Sequence, residues 1–489
     1  MSHNGEGAAY DVGVIGGGVV ACAVGKTLAT NGKKVIIFRD PIGNQIMASR
    51  AAGALLGIFS ECSSKDSEQK RHLDVSHRLA ARKMYDSWIS TLVEESGVNI
   101  STTKGLFIVA NSAGANDIKE LEVIRLAANE FREKVEEVSP RDIPGLLPKR
   151  GFWPHSAVFI KSEGTVDTGN LLIALEQALI KHKNVTIIDS VAIDIKKYGL
   201  DSVITCQNKQ LARCREVVLA GGAMMTNLLA NLETIGLNLP PIFAGRGVGI
   251  IIRSNTNYTH CIRTPNRGFA CGIHLVPRSD ANLYLGSTNR LTTSVDRVGY
   301  PILSEINNLL AGGIDEINST FGRAELVSAS VGYRPVTIDS YPLVGRTNLP
   351  GVLIATGTYR NGILLAPLIA KLIAEEINHP GTHANHPFAI NKGRFSHQIK
   401  GNIGNWIDDV STSLIETITE PGGSLPYNRE VELRNFFKVA LGTFISDDKL
   451  GQYQLTSKVK RLLRKAPMTE VAPLIFELIA RHKQEYEKD

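Results

Sequence analysis

The feature that most constrains the fold is an ordered series of short segments near the start of the chain. Residues 12–15 form an apolar run typical of a buried strand, and three consecutive glycines at 16–18 interrupt it. An apolar, helix-like stretch follows over 19–30, an Asn-Gly pair at 31–32 supplies a helix stop, and 35–38 form a second apolar run. This order predicts a βαβ unit with parallel strands.

The glycine turn of this unit has the composition of a phosphate-binding site. Gly16 and Gly18 permit a tight turn and close approach of a pyrophosphate, and the helix from Val19 would direct free amide groups toward it. The second strand ends differently from the dinucleotide-binding pattern. Where that pattern has an acidic residue that binds the ribose, this chain has Arg39, and Asp40 follows it. Either Asp40 reaches the ribose or Arg39 makes another polar contact. An arginine here is also compatible with NADP.

The length of the chain predicts more than one domain. Its 489 residues exceed what one hydrophobic core usually accommodates. Between about 240 and 300, short alternating runs bounded by Gly, Pro and Asn favour an antiparallel sheet. Strand and helix patterns of the α/β kind resume near 330, with an apolar helix over 363–377. We therefore expect an α/β fold with an inserted antiparallel-sheet domain.

Composition excludes several other classes of protein. The net charge of +6 is modest and the basic residues are dispersed, so we expect no nucleic-acid partner. No apolar window reaches the length needed to span a bilayer, which predicts no membrane span. The six cysteines form neither a C-x-x-C motif nor a metal-ligand pattern with histidine. We expect no metal site, and free thiols in a reducing, cytoplasmic location.

Further motifs carry a resemblance to a known family, and they occur in a fixed order after the glycine turn. They are SRAAGAL at 49–55 with Glu61-Cys62 downstream, VVLAGGA at 217–223, LVPR at 275–278, GYRP at 332–335 and YRNGILLAP at 359–367. Over residues 10–378 the chain resembles the D-amino-acid oxidase superfamily of flavoproteins, and within it glycine oxidase most closely.

The resemblance implies a non-covalently bound FAD and assigns residues to it. The implied FAD-binding residues are Gly16, Gly18, Val19, Asp40, Ser49, Ala51, Ala52, Gly53, Leu55, Val191, Gly221, Gly222, Arg334, Arg360, Asn361, Gly362, Ile363 and Leu364. It also implies an oxidoreductase core over about 10–380. Its Rossmann-like FAD domain would comprise about 10–80, 160–235 and 330–380, and its substrate domain about 81–159 and 236–329.

Three residues are candidates for contact with the substrate. Arg334 resembles the arginine that holds the substrate carboxylate in this family, although an arginine is more often part of a surface ion pair. Arg360 is a second candidate that equally suits a role in bracing the loop beside the flavin. His274 offers hydrogen bonding to a substrate, or only a polar lining of the pocket.

The expected substrate pocket differs from that of glycine oxidase at several positions. His274 stands in place of a tyrosine, Asn289 in place of a methionine after the Gly-x-Thr turn, and Ala54 in place of another methionine. The exchange makes the pocket more polar. It indicates either a changed substrate or drift among packed positions.

The implied reaction is the FAD-dependent oxidation of a small amine or amino acid. Hydride transfer to the flavin would give an imine that hydrolyses, with O2 reduced to H2O2. Two alternatives stay open: a dehydrogenase that passes electrons to a quinone or a partner protein, and a flavin-binding scaffold that works within a complex.

The resemblance does not cover the tail, residues 386–489. Apolar residues recur at helical spacing over 429–446 and 470–487, and a basic cluster at 458–465 lies between them. We expect a helical C-terminal extension. Its apolar faces either pack on the preceding domains or bind a partner, which would be a second copy of the chain or another protein.

Overall fold

The computed structural model describes residues 9–390 with short gaps, together with Ser411, Asn435, Lys438 and Val439. The gaps are residues 42–45, 65, 112–115, 191–192, 200, 241, 268–270, 280, 293–294, 296–298 and 338–339. Predictions about the tail beyond Ile390 fall almost entirely outside the described residues, and so does Val191.

The described residues form seventeen strands and eight α-helices. The strands are β1 (Ala9–Ile15), β2 (Val35–Arg39), β3 (Thr102–Ala110), β4 (Val135–Val138), β5 (Ser156–Val166), β6 (Val185–Asp189), β7 (Ile193–Tyr198), β8 (Asp201–Cys206), β9 (Lys209–Leu219), β10 (Ile242–Arg253), β11 (Cys261–Arg263), β12 (His274–Pro277), β13 (Asn282–Gly286), β14 (Arg290–Thr292), β15 (Glu325–Thr337), β16 (Leu343–Arg346) and β17 (Val352–Thr356). The α-helices are α1 (Val19–Thr30), α2 (Ala48–Ala51), α3 (Glu68–Ser96), α4 (Asp117–Glu130), α5 (Thr168–Lys181), α6 (Thr226–Glu233), α7 (Leu303–Gly312) and α8 (Gly362–Asn378).

The first sheet has a parallel centre in the order β6-β2-β1-β9-β17. β16 pairs antiparallel with β17 at one edge, and the β7–β8 hairpin joins β9. β1 and β2 pair from Val12 opposite Val35 to Ile15 opposite Phe38, which confirms the predicted βαβ unit. Helix α1 packs against α5 and α8, and these helices contact the strands of the sheet. Strands β2 and β17 are accordingly buried at nearly every position rather than at alternate ones.

The second sheet is inserted between segments of the first. It runs in the order β14-β10-β13-β12-β11-β3-β5-β4, with β15 paired along β10. These pairs are antiparallel except for β3 with β11. The sequence prediction of antiparallel strands near 240–300 is confirmed by β10, β12 and β13. The α/β fold class with an inserted antiparallel sheet is therefore confirmed.

A short segment after β2 connects the two sheets and positions the site. Met47 forms a bridge with Tyr333 of β15, and Leu55 forms one with Thr165 of β5. Between them, α2 contacts β10 and β15. The small side chains of this segment therefore lie between the glycine turn and the antiparallel sheet.

The stretch after α8 packs against the domain. Phe388 is 1% exposed, and its carbonyl accepts a hydrogen bond from the Val344 amide. The His77 ring on α3 lies 4.5 Å from the Phe388 ring and 5.0 Å from the His386 ring. In the part of the chain that the structure describes, no helix is long and apolar enough to cross a membrane.

Candidate functional site

A cleft opens at the carboxyl ends of the parallel strands, where α/β sheets bind ligands. We call it the outer cleft. It has a volume of about 360 Å³, and the glycine turn, α2, the loop after β9 and the start of α8 surround it. Residues from several segments line it, among them Asp40 after β2, Asp194 on β7 and Arg360 before α8.

The glycine turn leaves only backbone facing the outer cleft. Gly16 has φ +140°, and a Cβ at this position would lie 2.5 Å from the Ala220 carbonyl oxygen. Gly18 is the N-cap of α1 and brings no capping side chain, so the first turn of the helix faces the cleft. Ser49 Oγ accepts a hydrogen bond from the Val19 amide at 3.2 Å. Such a helix N-terminus attracts phosphate.

The structure separates the two residues that end β2. Arg39 turns away from the outer cleft and forms ion pairs with Asp189 and with Glu176, the latter at 2.5 Å. Asp40 lines the cleft, as does Ser190. The arginine therefore makes another polar contact, which was one of the two alternatives, and the aspartate faces the cleft.

A smaller chamber of about 80 Å³ adjoins the outer cleft, and we call it the inner cavity. The two share Ala48, Ala52, Arg334, Arg360 and Ile363. Strands of the antiparallel sheet form the far side of the inner cavity. It is too small for a dinucleotide and suits a small molecule next to one.

Arg334 on β15 projects between the two spaces. Its guanidinium donates hydrogen bonds to Ser287 Oγ at 2.8 Å, to Asn289 Oδ1 at 3.0 Å and to the Thr288 carbonyl at 3.1 Å. All three acceptors are uncharged. A guanidinium has five N–H groups, so two remain available. Among the described residues no carboxylate pairs with Arg334.

Arg360 belongs to a buried ion-pair cluster. Its Nε lies 3.5 Å from Glu61 Oε2, and its Nη1 donates to Asn266 Oδ1 at 2.9 Å. Glu61 also pairs at 2.6 Å with Arg263, whose side chain is fully buried. Burial opposes the charge on Glu61, but Arg360, Arg263 and Arg78 outweigh it and lower the pKa of this carboxyl to about 2.

His274 on β12 faces the inner cavity as a neutral ring. Burial lowers its pKa to about 3, and the charges of Arg263 and Arg334 act in the same direction. Its Nδ1 is buried and has no hydrogen-bond partner among the described residues. The ring stacks on Tyr284 at 5.7 Å, and Tyr284 Oη donates to the Ala51 carbonyl at 3.0 Å.

Asn289 links Arg334 to the loop before α8. Besides accepting from Arg334, it donates from Nδ2 to Tyr359 Oη at 2.8 Å. Its amide therefore holds both side chains in place. A methionine at this position could do neither, so the polar exchange noted in the sequence changes how the guanidinium is supported.

The structure brings nearly all of the predicted site residues to these two spaces. Those that line the outer cleft are Gly16, Gly18, Val19, Asp40, Ser49, Ala52, Gly221, Gly222, Arg334, Arg360, Gly362 and Ile363. Those that line the inner cavity are Ala51, Ala52, Gly53, Leu55, His274, Arg334, Arg360, Asn361 and Ile363. Leu364 lines neither, since its side chain is 1% exposed within the core.

Sequence reasoning missed several residues of the inner cavity. Tyr284 and Cys271 were not singled out, and Glu61 was noted in a motif without a role. One signal for Tyr284 was available, because glycines stand at 249 and 286, where any larger side chain would meet its ring. The pairing of Glu61 with Arg263 spans about 200 residues and has no local pattern.

The backbone cradle and the helix N-terminus fit a dinucleotide, and comparison with known proteins identifies its kind. A family model described as FAD dependent oxidoreductase matches residues 11–376. The chain belongs to this family. The predicted flavoprotein resemblance is thereby confirmed, and FAD is the cofactor.

Similar proteins extend over the same region. A glycine oxidase of Geobacillus kaustophilus is 27% identical over 382 residues, covering 76% of this chain and 94% of that protein. Its crystal structure superposes with a TM-score of 0.68 at 25% identity, over 78% of this chain and 99% of that one. The bifunctional protein ThiO/ThiG of a Nostoc species is 26% identical over 75% of this chain, which spans 52% of that longer protein.

Proposed function

We propose that this flavoenzyme oxidises a small amine that carries a carboxylate, such as an amino acid. The observation that carries the proposal is Arg334, a cation at the inner cavity whose hydrogen bonds all go to uncharged oxygens. A carboxylate would take its two remaining N–H groups and supply the missing counter-charge. The similarity to glycine oxidases supports the same substrate class.

Residues of this chain would hold both reactants in place. FAD, when bound, accepts the hydride that the substrate loses from the carbon next to its nitrogen. The glycine turn and α1 would hold its pyrophosphate, Asp40 its ribose, and the segment 51–55 together with the start of α8 its ring system. The fit rests on the backbone cradle at Gly16 and on the small side chains between the two spaces. A non-covalent cofactor is part of the proposal.

The remaining groups would orient the amine. Arg334 would fix the carboxylate end, and the neutral ring of His274, which lines the inner cavity, would lie beside the nitrogen. Arg360, tied to Glu61, would brace the flavin-side loop. Such positioning in a closed cavity contributes to catalysis mainly by fixing geometry and excluding water.

We propose O2 as the electron acceptor, supported by the similarity to oxidases. The test incubates the purified protein with glycine, sarcosine, D-alanine and larger amines while O2 uptake, peroxide and carbonyl product are followed together. Equal amounts of peroxide and carbonyl product are expected with at least one carboxylate-bearing amine. Turnover only with an added quinone would reject O2, and turnover only with amines that lack a carboxylate would reject the assigned substrate class.

For the tail we propose a role in assembly, as a contact with a second copy or another protein. The support is the apolar spacing over 429–446 and 470–487 and the basic cluster between them. We also propose a cytoplasmic location for the chain, supported by the free state of all six cysteines. The test is truncation after Ile390, because residues up to Ile390 pack on the domain. An unchanged molar mass in light scattering, with no partner lost in pull-downs, would refute the role in assembly.

A further inference from the structure

The arginine of the LVPR motif, Arg278, has no part in the proposed reaction so far, because it lines neither the outer cleft nor the inner cavity. It directly follows β12 and is half-buried. Its guanidinium donates hydrogen bonds to the carbonyls of Gly53 at 3.2 Å, Ala52 at 3.3 Å and Val166 at 3.4 Å. Among the described residues no carboxylate forms an ion pair with it, so its charge is directed at backbone oxygens.

Tyr284 on β13 holds the carbonyl of the preceding residue of the same segment, Ala51. Its Oη donates to that carbonyl at 3.0 Å, and its ring centre lies 5.9 Å from the guanidinium carbon of Arg278. Further along the segment, the Ala54 carbonyl accepts a hydrogen bond from the Val166 amide at 3.2 Å. Four consecutive carbonyls are therefore bonded, and the backbone that lines the inner cavity has little freedom to move.

The backbone conformation at Ala54 is one that a residue with a side chain rarely adopts. Its φ is +59°, in the left-handed region. Such a conformation persists where the surroundings fix it. Arg278 holds the carbonyl immediately before Ala54, and a Cβ at Gly53 would lie 2.6 Å from the Tyr284 ring. The shape of this segment thus depends on the arginine and the tyrosine behind it.

The hydrogen bond from Arg278 also sets the direction and the strength of an amide group in the cavity wall. The peptide bond between Gly53 and Ala54 is trans, so its N–H is directed opposite to its C=O and away from Arg278. Ala54 lines the inner cavity, whereas Arg278 does not. A cation bonded to the carbonyl of a peptide polarises the whole unit and makes its N–H a stronger donor. The charge of Arg278 therefore acts on the far side of the segment.

We propose that Arg278 is a positioning residue that fixes residues 51–54 beside the ring system of FAD and, through its charge, raises the reduction potential of the bound flavin. This inference rests on the proposed function, which places the segment 51–55 against that ring system. A positive charge near a flavin ring stabilises the electron-rich reduced form relative to the oxidised form. Arg278 thus favours electron transfer from the substrate although it lines neither space.

The first test measures the midpoint potential of the FAD-loaded protein, without any amine, by slow enzymatic reduction in the presence of a reference dye. In Arg278→Met the ratio of reduced to oxidised flavin at a fixed potential is expected to fall about tenfold, which corresponds to a midpoint lower by about 30 mV for two electrons. Equal potentials in Arg278→Met and wild type would overturn the proposal.

Arg253→Met is the matched control for the loss of one positive charge. Arg253 and Arg278 lie at the same end of the sheet, since Arg253 pairs opposite Asn282 and the Arg278 amide donates to the Asn282 carbonyl. The Arg253 side chain is 52% exposed and lies 3.6 Å from Glu325. The potential of Arg253→Met should equal that of the wild type, and the same shift in both variants would overturn the proposal.

The second test separates the charge of Arg278 from the space that its side chain fills. Arg278→Lys keeps a cation that can donate to the carbonyls, whereas Arg278→Gln keeps N–H donors and loses the charge. We expect a potential near that of the wild type in Arg278→Lys, and one near that of Arg278→Met in Arg278→Gln. Equal potentials for Arg278→Lys and Arg278→Gln would overturn the role of the charge. Loss of FAD from all three variants would overturn it as well, because Arg278 would then serve the fold.

The outcome of these measurements is distinguishable from that of the proposed function, because no amine enters them. A protein that binds FAD and oxidises no amine refutes the proposed function and still yields the four potentials. A protein that oxidises an amine with an unaltered potential in Arg278→Met refutes this inference alone.

Discussion

Replacing Arg334 by alanine removes the cation on which the proposed substrate class depends. Hydrogen bonds to charged groups contribute about 1.5–3 kcal/mol each, so a carboxylate held by the two free N–H groups would lose about 3–6 kcal/mol. At about 1.4 kcal/mol per factor of ten, kcat/KM should fall by about 10²- to 10⁴-fold. FAD should stay bound, because the glycine turn and α1 do not depend on this side chain.

The assay separates a contact with the carboxylate from general damage to the site. Wild type and Arg334→Ala are compared on glycine and on methylamine, which has no carboxylate, by flavin reduction under anaerobic conditions. The large loss is expected with glycine only. Arg334→Lys, which keeps the charge but not the planar pair of donors, should lie in between. Equal losses on both amines, or none on glycine, would refute the assignment.

Three further predictions follow from the geometry of the site. Gly16→Ala should abolish FAD retention, because its Cβ would meet a backbone carbonyl at 2.5 Å. At Gly151 a Cβ would meet no atom within 4 Å, so Gly151→Ala should retain FAD as the wild type does. Retention of FAD by both variants would contradict the role of Gly16 in binding it. Burial lowers the pKa of His274 from 6.5 to about 3, so between these pH values the unfolded chain binds a proton that the folded chain does not. The free energy of unfolding should therefore fall as the pH drops from 6.5 to about 3, and His274→Gln should flatten that fall. The same pH dependence in His274→Gln and wild type would be evidence against the neutral ring. Glu61→Gln should lower the free energy of unfolding by about 3–5 kcal/mol, because it strips a buried arginine of its partner. As a control, Glu137→Gln breaks an exposed ion pair with Arg125 and should lower the free energy of unfolding by only about 0–1 kcal/mol. Equal denaturant midpoints for Glu61→Gln and Glu137→Gln would contradict the prediction.

The parallel half of the fold could be predicted because its determinants are local. The apolar runs of β1 and β2, the glycines between them and the helix stop at 31–32 all lie within one βαβ unit. The site residues that were predicted from motifs, such as Arg334 and Asn361, also line the two spaces. Local patterns and ordered motifs therefore located most of the site.

The remainder of the site depends on contacts between distant segments. The partners of Arg39 lie 137 and 150 residues away, so its sequence position beside Asp40 did not reveal which of the two faces the ligand. The contacts of Arg278 arise in the same way, since the carbonyls that it binds lie 112 to 226 residues away. Leu364 shows the opposite error, since membership in a motif does not distinguish a core side chain from a lining one.

The measurement that tests the central claim most directly is anaerobic mixing of the purified yellow protein with the amine panel, followed by extraction of the cofactor for mass determination. The account predicts that the extracted cofactor is FAD, that at least one carboxylate-bearing amine bleaches the flavin, and that one carbonyl product forms per flavin reduced. Recovery of NADP without flavin, or a flavin that no amine in the panel bleaches, would contradict it.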